Sequence, residues 1–121
     1  MVVTGSCNSA EDGVYTKVGV TANGRQIWHN TNGRWIYHDP DCNGFGMVAR
    51  WIIDDSMPST SRSSDLDEDG ACTYSGRIES DASEIPTGTQ TWRMYCGSES
   101  GWGDVALTIT YQLADVYKVG L

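Results

Sequence analysis

The sequence predicts an all-β chain, a single-domain antiparallel β-sandwich or barrel of about eight short strands held by two disulfides. Three observations predict it. No segment sustains a helical period. Runs rich in Val, Ile, Thr, Tyr and Trp recur between turn signals about every ten residues. Glycine accounts for 14 of the 121 residues and hydrophobic residues for 39%, a composition that suits short strands joined by many turns. A chain of this length holds one core, so residues 1–121 read as one domain.

Each element has its own reason. Val14-Tyr15-Thr16-Lys17-Val18 is dense in β-formers and follows Asp12-Gly13. Asn23-Gly24-Arg25-Gln26-Ile27-Trp28 is then echoed by Asn32-Gly33-Arg34-Trp35-Ile36-Tyr37, too short a period for a solenoid and better read as a hairpin. With its turn at Asn30 to Gly33, Trp28 falls opposite Trp35 and Ile27 opposite Ile36. Met47 to Asp54 puts Met47, Ala49, Trp51 and Ile53 on one face and Val48, Arg50 and Ile52 on the other. Both faces are mostly apolar, which marks a central strand. Asp54 to Asp69 has no period and reads as a long surface loop of the functional or mobile kind. Strands resume at Cys72 to Ile78 and at Gln90 to Cys96, where Trp92 and Met94 alternate with Arg93 and Tyr95. A short helical turn is possible around Ser83-Glu84. In Asp104 to Leu113 the residues Val105, Leu107, Ile109, Tyr111 and Leu113 face inward, with polar or small residues between them. Residues 113–121 extend this strand or form a tail or linker.

The stretch Asp65-Leu66-Asp67-Glu68-Asp69-Gly70 carries the most specific chemistry. A hard divalent cation takes about six to eight oxygens, and carboxylates at alternate positions of a tight loop can converge on one. Gly70 supplies the backbone freedom that closes the turn. An EF-hand is excluded, because Gly76 stands where its last glutamate would be and no helices flank the loop. The expectation is calcium on Asp65, Asp67 and Asp69 with the Ala71 carbonyl, the shell completed from Asp39, Asp41, Asp54 or Asp55. A solvated acidic turn is the alternative.

The formal charge of −8 and pI near 4.4 repel phosphate backbones and anionic bilayers, so nucleic acid is not an expected partner. Calcium, a basic protein surface or a neutral glycan is compatible. The four cysteines Cys7, Cys42, Cys72 and Cys96 lie far apart with no C-x-x-C pair, which favours disulfides over zinc. Of the three possible pairings we favour Cys7 with Cys96 and Cys42 with Cys72, each contributing about 3 to 4 kcal/mol by chain entropy. Disulfides imply an oxidising compartment. No stretch has the length of a membrane span, and Met1-Val2-Val3 is not a secretion signal, so the chain reads as an excised or mature module.

Five Trp and six Tyr stand against one Phe, so nearly every aromatic carries a polar handle of the kind that stacks on sugar rings. Trp51 and Trp92 alternate with core residues and belong inside. Trp28, Trp35 and Tyr37 in the hairpin, and Trp102 between two glycines, are the expected ligand contacts. Catalysis has no motif: G-x-S-x-G, H-E-x-x-H and a phosphate loop are all missing. His29 and His38 fall at opposite ends of the hairpin and are expected on the surface, and the adjacent Asp54 and Asp55 point to opposite faces.

The succession Gly13-Val14-Tyr15, Asn23-Gly24-Arg25, Trp35-Ile36-Tyr37, Asp39-Pro40-Asp41, Arg50-Trp51-Ile52, Trp92-Arg93-Met94-Tyr95-Cys96, Gly101-Trp102 and Leu107-Thr108-Ile109-Thr110-Tyr111 resembles small cysteine-containing domains attached to large secreted or cell-surface proteins. The resemblance implies an extracellular module of a larger polypeptide. The expected role is that of a secreted, calcium-binding adhesion or binding module that is not an enzyme, with glycan the leading ligand and an extracellular protein the other. A structural, self-assembling subunit of a matrix, coat or filament is the alternative, and a small polysaccharide hydrolase the third reading.

Overall fold

Alternation of large apolar and polar residues along short runs gives strands that can bury only one face, and such strands must curl around a shared interior. The computed structural model describes residues 1–112 and shows this arrangement. Nine strands form one antiparallel, barrel-like sheet: β1 (Val2–Thr4), β2 (Gly13–Val14), β3 (Thr16–Val20), β4 (Gln26–His29), β5 (Trp35–Asp39), β6 (Arg50–Asp54), β7 (Gly76–Glu79), β8 (Gly88–Tyr95) and β9 (Trp102–Thr110). Their order is β2-β1-β9-β8-β7-β6-β5-β4-β3. The two ends of the sheet, β2 and β3, are consecutive in the chain and separated only by Tyr15. One run of chain therefore pairs with β1 at its start and with β4 at its end, and the barrel nearly closes.

Trp28, Ile36, Trp51, Ile53, Trp92 and Leu107 fill the interior. Trp51 and Trp92 are fully buried, as their alternation predicts. Val105, Leu107 and Ile109 take the inward side of β9 while Thr110 is exposed; Leu113 lies outside the described residues, as do the remaining positions to 121. A second apolar layer lies outside the barrel. Ile27, Tyr37 and Ile52, on the outer face of β4–β6, pack with Cys42 and Leu66. The segment between β6 and β7 thus covers the sheet, which explains why β6 is buried along its whole length. Burying side chains of this size contributes about 1.5 to 3 kcal/mol each. The disulfides pair Cys7 with Cys96 and Cys42 with Cys72, the favoured pairing. Among the described residues no helix is long and apolar enough to cross a membrane. Both features are compatible with an extracellular domain.

Several local expectations are corrected. In the β4–β5 hairpin Trp28 pairs with Ile36 and His29 with Trp35, one residue away from the expected register. Asn30 is the cause: its side-chain oxygen accepts from the N–H groups of Asn32 and Arg34, and its own N–H donates to the Arg34 carbonyl. The connection is thereby lengthened by a residue. Residues 47–49 and 72–75 are not strand, Ser83-Glu84 forms a bend, and among the described residues the one short helical turn is Ser9–Glu11, capped by Asn8. The strand β1 has no counterpart in the sequence reading. It lies between β2 and β9, and a Cβ on Gly5 just beyond it would meet the Ala106 carbonyl oxygen at 2.8 Å. His38 is buried inside the barrel wall, with Nε2 2.9 Å from the Ser80 carbonyl, where burial lowers its pKa.

The turn Ser9–Glu11 packs Glu11 wholly out of solvent. Its Oε2 accepts from the Ser75 hydroxyl at 3.2 Å while Oε1 has no partner. Burial raises its pKa from 4.5 to about 7, against the Ser75 hydrogen bond and the Arg34 charge, which lower it. The folded chain therefore keeps this proton where the unfolded chain has lost it, so stability declines as pH rises from about 4.5 to 7. Glu11→Gln should flatten this decline by about 1 to 3 kcal/mol, allowing for screening. Urea unfolding of both proteins at pH 5 and pH 7.5 measures it, and equal slopes would refute the assignment.

Candidate metal centre

The segment that covers the outer face of β5 and β6 cannot form regular structure, so its backbone groups need side-chain partners. Four aspartates supply them. Asp39 at the end of β5 accepts the N–H of Asp41 on one oxygen at 3.0 Å and that of Leu66 on the other at 2.9 Å. Asp41 accepts Met47 N–H at 2.9 Å and Gly46 N–H at 2.8 Å, and its carbonyl accepts Asp65 N–H at 2.8 Å. Burial raises the pKa of Asp39, whereas the Gly46 and Met47 amides hold half-buried Asp41 below the carboxylate range. Asp65 Oδ2 accepts Gly70 N–H at 3.1 Å, and Asp69 accepts Ala71 N–H and the Thr73 hydroxyl, both at 2.9 Å.

Asp65 and Glu68 both lie in the left-handed region, at φ of 48° and 61°. That geometry is uncommon for side chains larger than glycine, and here it bends the loop inward. One carboxylate oxygen from each of Asp65, Asp67 and Asp69 comes within 4.8 Å of the others. Asp65 is 4% exposed. Its Oδ1 and both oxygens of Asp67 are out of solvent with no hydrogen-bond partner. A buried carboxylate oxygen without a donor is costly, and the converging carboxylates of Asp65, Asp67 and Asp69 also repel one another. Burial, then Asp69 and Asp65, push the Asp67 pKa up to about 7. Arg62 reaches Asp65 at 3.5 Å from an exposed position. The donor set is hard, anionic and oxygen-only, which fits calcium or another hard divalent cation and does not fit a soft metal.

The other expected ligands take different roles. Asp39 and Asp41 hold the loop by their backbone acceptor bonds. Asp54 is buried, accepts the Tyr37 hydroxyl at 2.9 Å and the Asp55 N–H at 2.7 Å, and is raised by burial to about 6. Asp55 is exposed. Neither belongs to the converging group. Ala71 follows the loop and gives its N–H to Asp69.

The expected aromatic contacts divide as well. Trp28 is 2% exposed inside the barrel and Tyr37 1% exposed beneath the outer segment, so neither offers a contact surface; both are core residues. Trp35 is half-buried and stacks on His29 at 4.3 Å between ring centroids. Trp102 is 42% exposed, with Tyr74 at 5.2 Å and Tyr95 at 5.5 Å. Those two tyrosines were not among the expected contacts. The β8 alternation puts Tyr95 on the outward side, but the arrival of Tyr74 from the far end of the acidic loop has no local signal.

In comparisons with known proteins, no family model, curated protein or solved structure matches this chain.

Proposed function

We propose that this chain is a calcium-stabilised extracellular binding module, in which the ion neutralises the Asp65–Asp67–Asp69 loop and locks the outer layer onto the barrel. The observation that supports it is the set of three buried carboxylate oxygens, Oδ1 of Asp65 and both of Asp67, that have no hydrogen-bond partner. A divalent cation removes both the missing partner and the repulsion. The disulfide Cys42–Cys72 closes the same segment, so ion and bridge act on one loop from two sides. Glycan is the ligand class we assign to the module, and the chemistry is binding rather than turnover.

A structural role as a self-assembling subunit is the second reading, favoured by Phe45. This side chain is 83% exposed, yet the loop beneath it is tightly bonded: Phe45 N–H donates to Asn43, and the Gly46 and Met47 amides donate to Asp41. A rigidly displayed phenylalanine is the type of anchor that copies of a chain use against each other. Sedimentation at increasing concentration should then show association that Phe45→Ser abolishes; a monomer throughout removes this reading.

The calcium reading predicts a melting temperature higher by roughly 10 °C at a hundredfold excess over the dissociation constant than in EDTA. Asp67→Asn should have the opposite signs in the two conditions. In EDTA it melts at or above the parent, because a charge is lost from the repelling group, and in calcium it gains little. Equal melting of the parent in millimolar calcium and in EDTA would sink the proposal.

A further inference from the structure

The outer face of β7, β8 and β9 is not covered by the second layer. Strand register places Tyr95 opposite Trp102, Arg93 opposite Asp104 and Arg77 opposite Arg93. At one end the rings of Tyr74, Tyr95 and Trp102 form a cluster, with Trp102 42% and Tyr95 40% exposed. Tyr74 is held from below, its hydroxyl accepting Arg77 Nε at 2.6 Å and its ring lying 5.8 Å from the guanidinium. Beyond the rings a shallow groove of about 230 Å³ runs between Arg77, Glu79, Thr91, Arg93 and Asp104. The row continues to the Thr89–Thr108 hydroxyl pair at 2.8 Å. From Tyr95 to Thr89 a strand covers about 20 Å, room for several linked sugar rings.

The charges decide which chain would lie there. Arg77 pairs with Glu79 at 2.9 Å and Arg93 with Asp104 at 3.4 Å, so the groove is balanced in a protein of net charge −8. Balanced pairs present donors and acceptors together, which is what hydroxyl groups bind, and ring faces beside them take the C–H side of a pyranose. A polyanion gains nothing from such a groove and is repelled by the rest of the molecule. We infer that this face binds a neutral polysaccharide, with Trp102 and Tyr95 as the stacking platform and Arg93 and Asp104 holding hydroxyls. The inference rests on the binding-module reading above and is independent of the cation.

Affinity electrophoresis through gels containing galactomannan, xylan, mixed-linkage β-glucan or, as the anionic control, alginate tests it. Retardation by at least one neutral polymer is expected, with the dissociation constant raised at least about tenfold by Trp102→Ala and also by Tyr95→Ala. Thermal melts of both variants check that each is folded; two separately exposed side chains are used so that one misfolded variant leaves the other to decide. No retardation by any neutral polymer, retardation by alginate alone, or neutral binding that both folded variants retain would overturn the assignment. A parent that melts higher in calcium yet ignores every neutral polymer loses this surface and keeps its cation site, so the two failures are told apart.

Discussion

The whole molecule depends on a single run of chain, Gly13 to Val20, that pairs with β1 through its first residues and with β4 through its last. An open nine-stranded sheet would expose two unpaired edges, which favours association between chains. Here the two edges are neighbouring segments, and the residue between them, Tyr15, is fixed at three points. Its ring is buried, its N–H donates to the Met1 carbonyl, and its hydroxyl donates to the Glu11 carbonyl. The nearly closed form follows from that arrangement, and the interior tryptophans fill the space it encloses.

Closure of the barrel leaves its outside as the surface on which function is built, and the chain treats that outside unevenly. Over β4–β6 it lays a second apolar layer whose connections are made by carboxylates rather than by strand pairing. Over β7–β9 the sheet is bare. The first arrangement concentrates negative charge: Asp39, Asp54 and Asp67 are all raised by burial. A carboxylate accepting two backbone amides is well used, as in Asp41, where the amides outweigh burial. One with no donor is a debt of stability until a proton or a cation arrives. The outer layer is thus one part of the molecule whose firmness responds to solution conditions; buried Glu11, beside Ser75, is another.

The parts of this arrangement that could be read from the sequence are those set by residues close together in the chain. The alternation of Val105, Leu107 and Ile109 and the two-faced apolar character around Trp51 and Ile52 are local signals, and both mark real strands, although these run Trp102–Thr110 and Arg50–Asp54 rather than Asp104 to Leu113 and Met47 to Asp54. The spacing of Asp65, Asp67 and Asp69 is local too, and the three do converge. What escaped was set by distant partners. Asp39 and Asp41 are acidic and so read as ligands, but their oxygens accept the amides of residues 41, 46, 47 and 66. Trp28 and Tyr37 looked like one exposed aromatic face. The register shift made by Asn30 changes which residues pair, and the covering segment buries Tyr37 from outside. The strand β1 is too short to signal itself and exists because β9 is there to receive it.

The position of β1 between β2 and β9 also has a bearing on how the protein is made. Made before the strand it must pair with, Val2–Thr4 has only the two residues of β2 beside it until Thr108–Thr110 emerges. Cys7 is in the same position, since its partner Cys96 follows 89 residues later, whereas Cys42 and Cys72 are separated by 30. Chains fold as they leave the ribosome at about 5 to 20 residues per second, and non-local pairing is slow. The inner bridge and the outer layer can therefore mature while the barrel is still open.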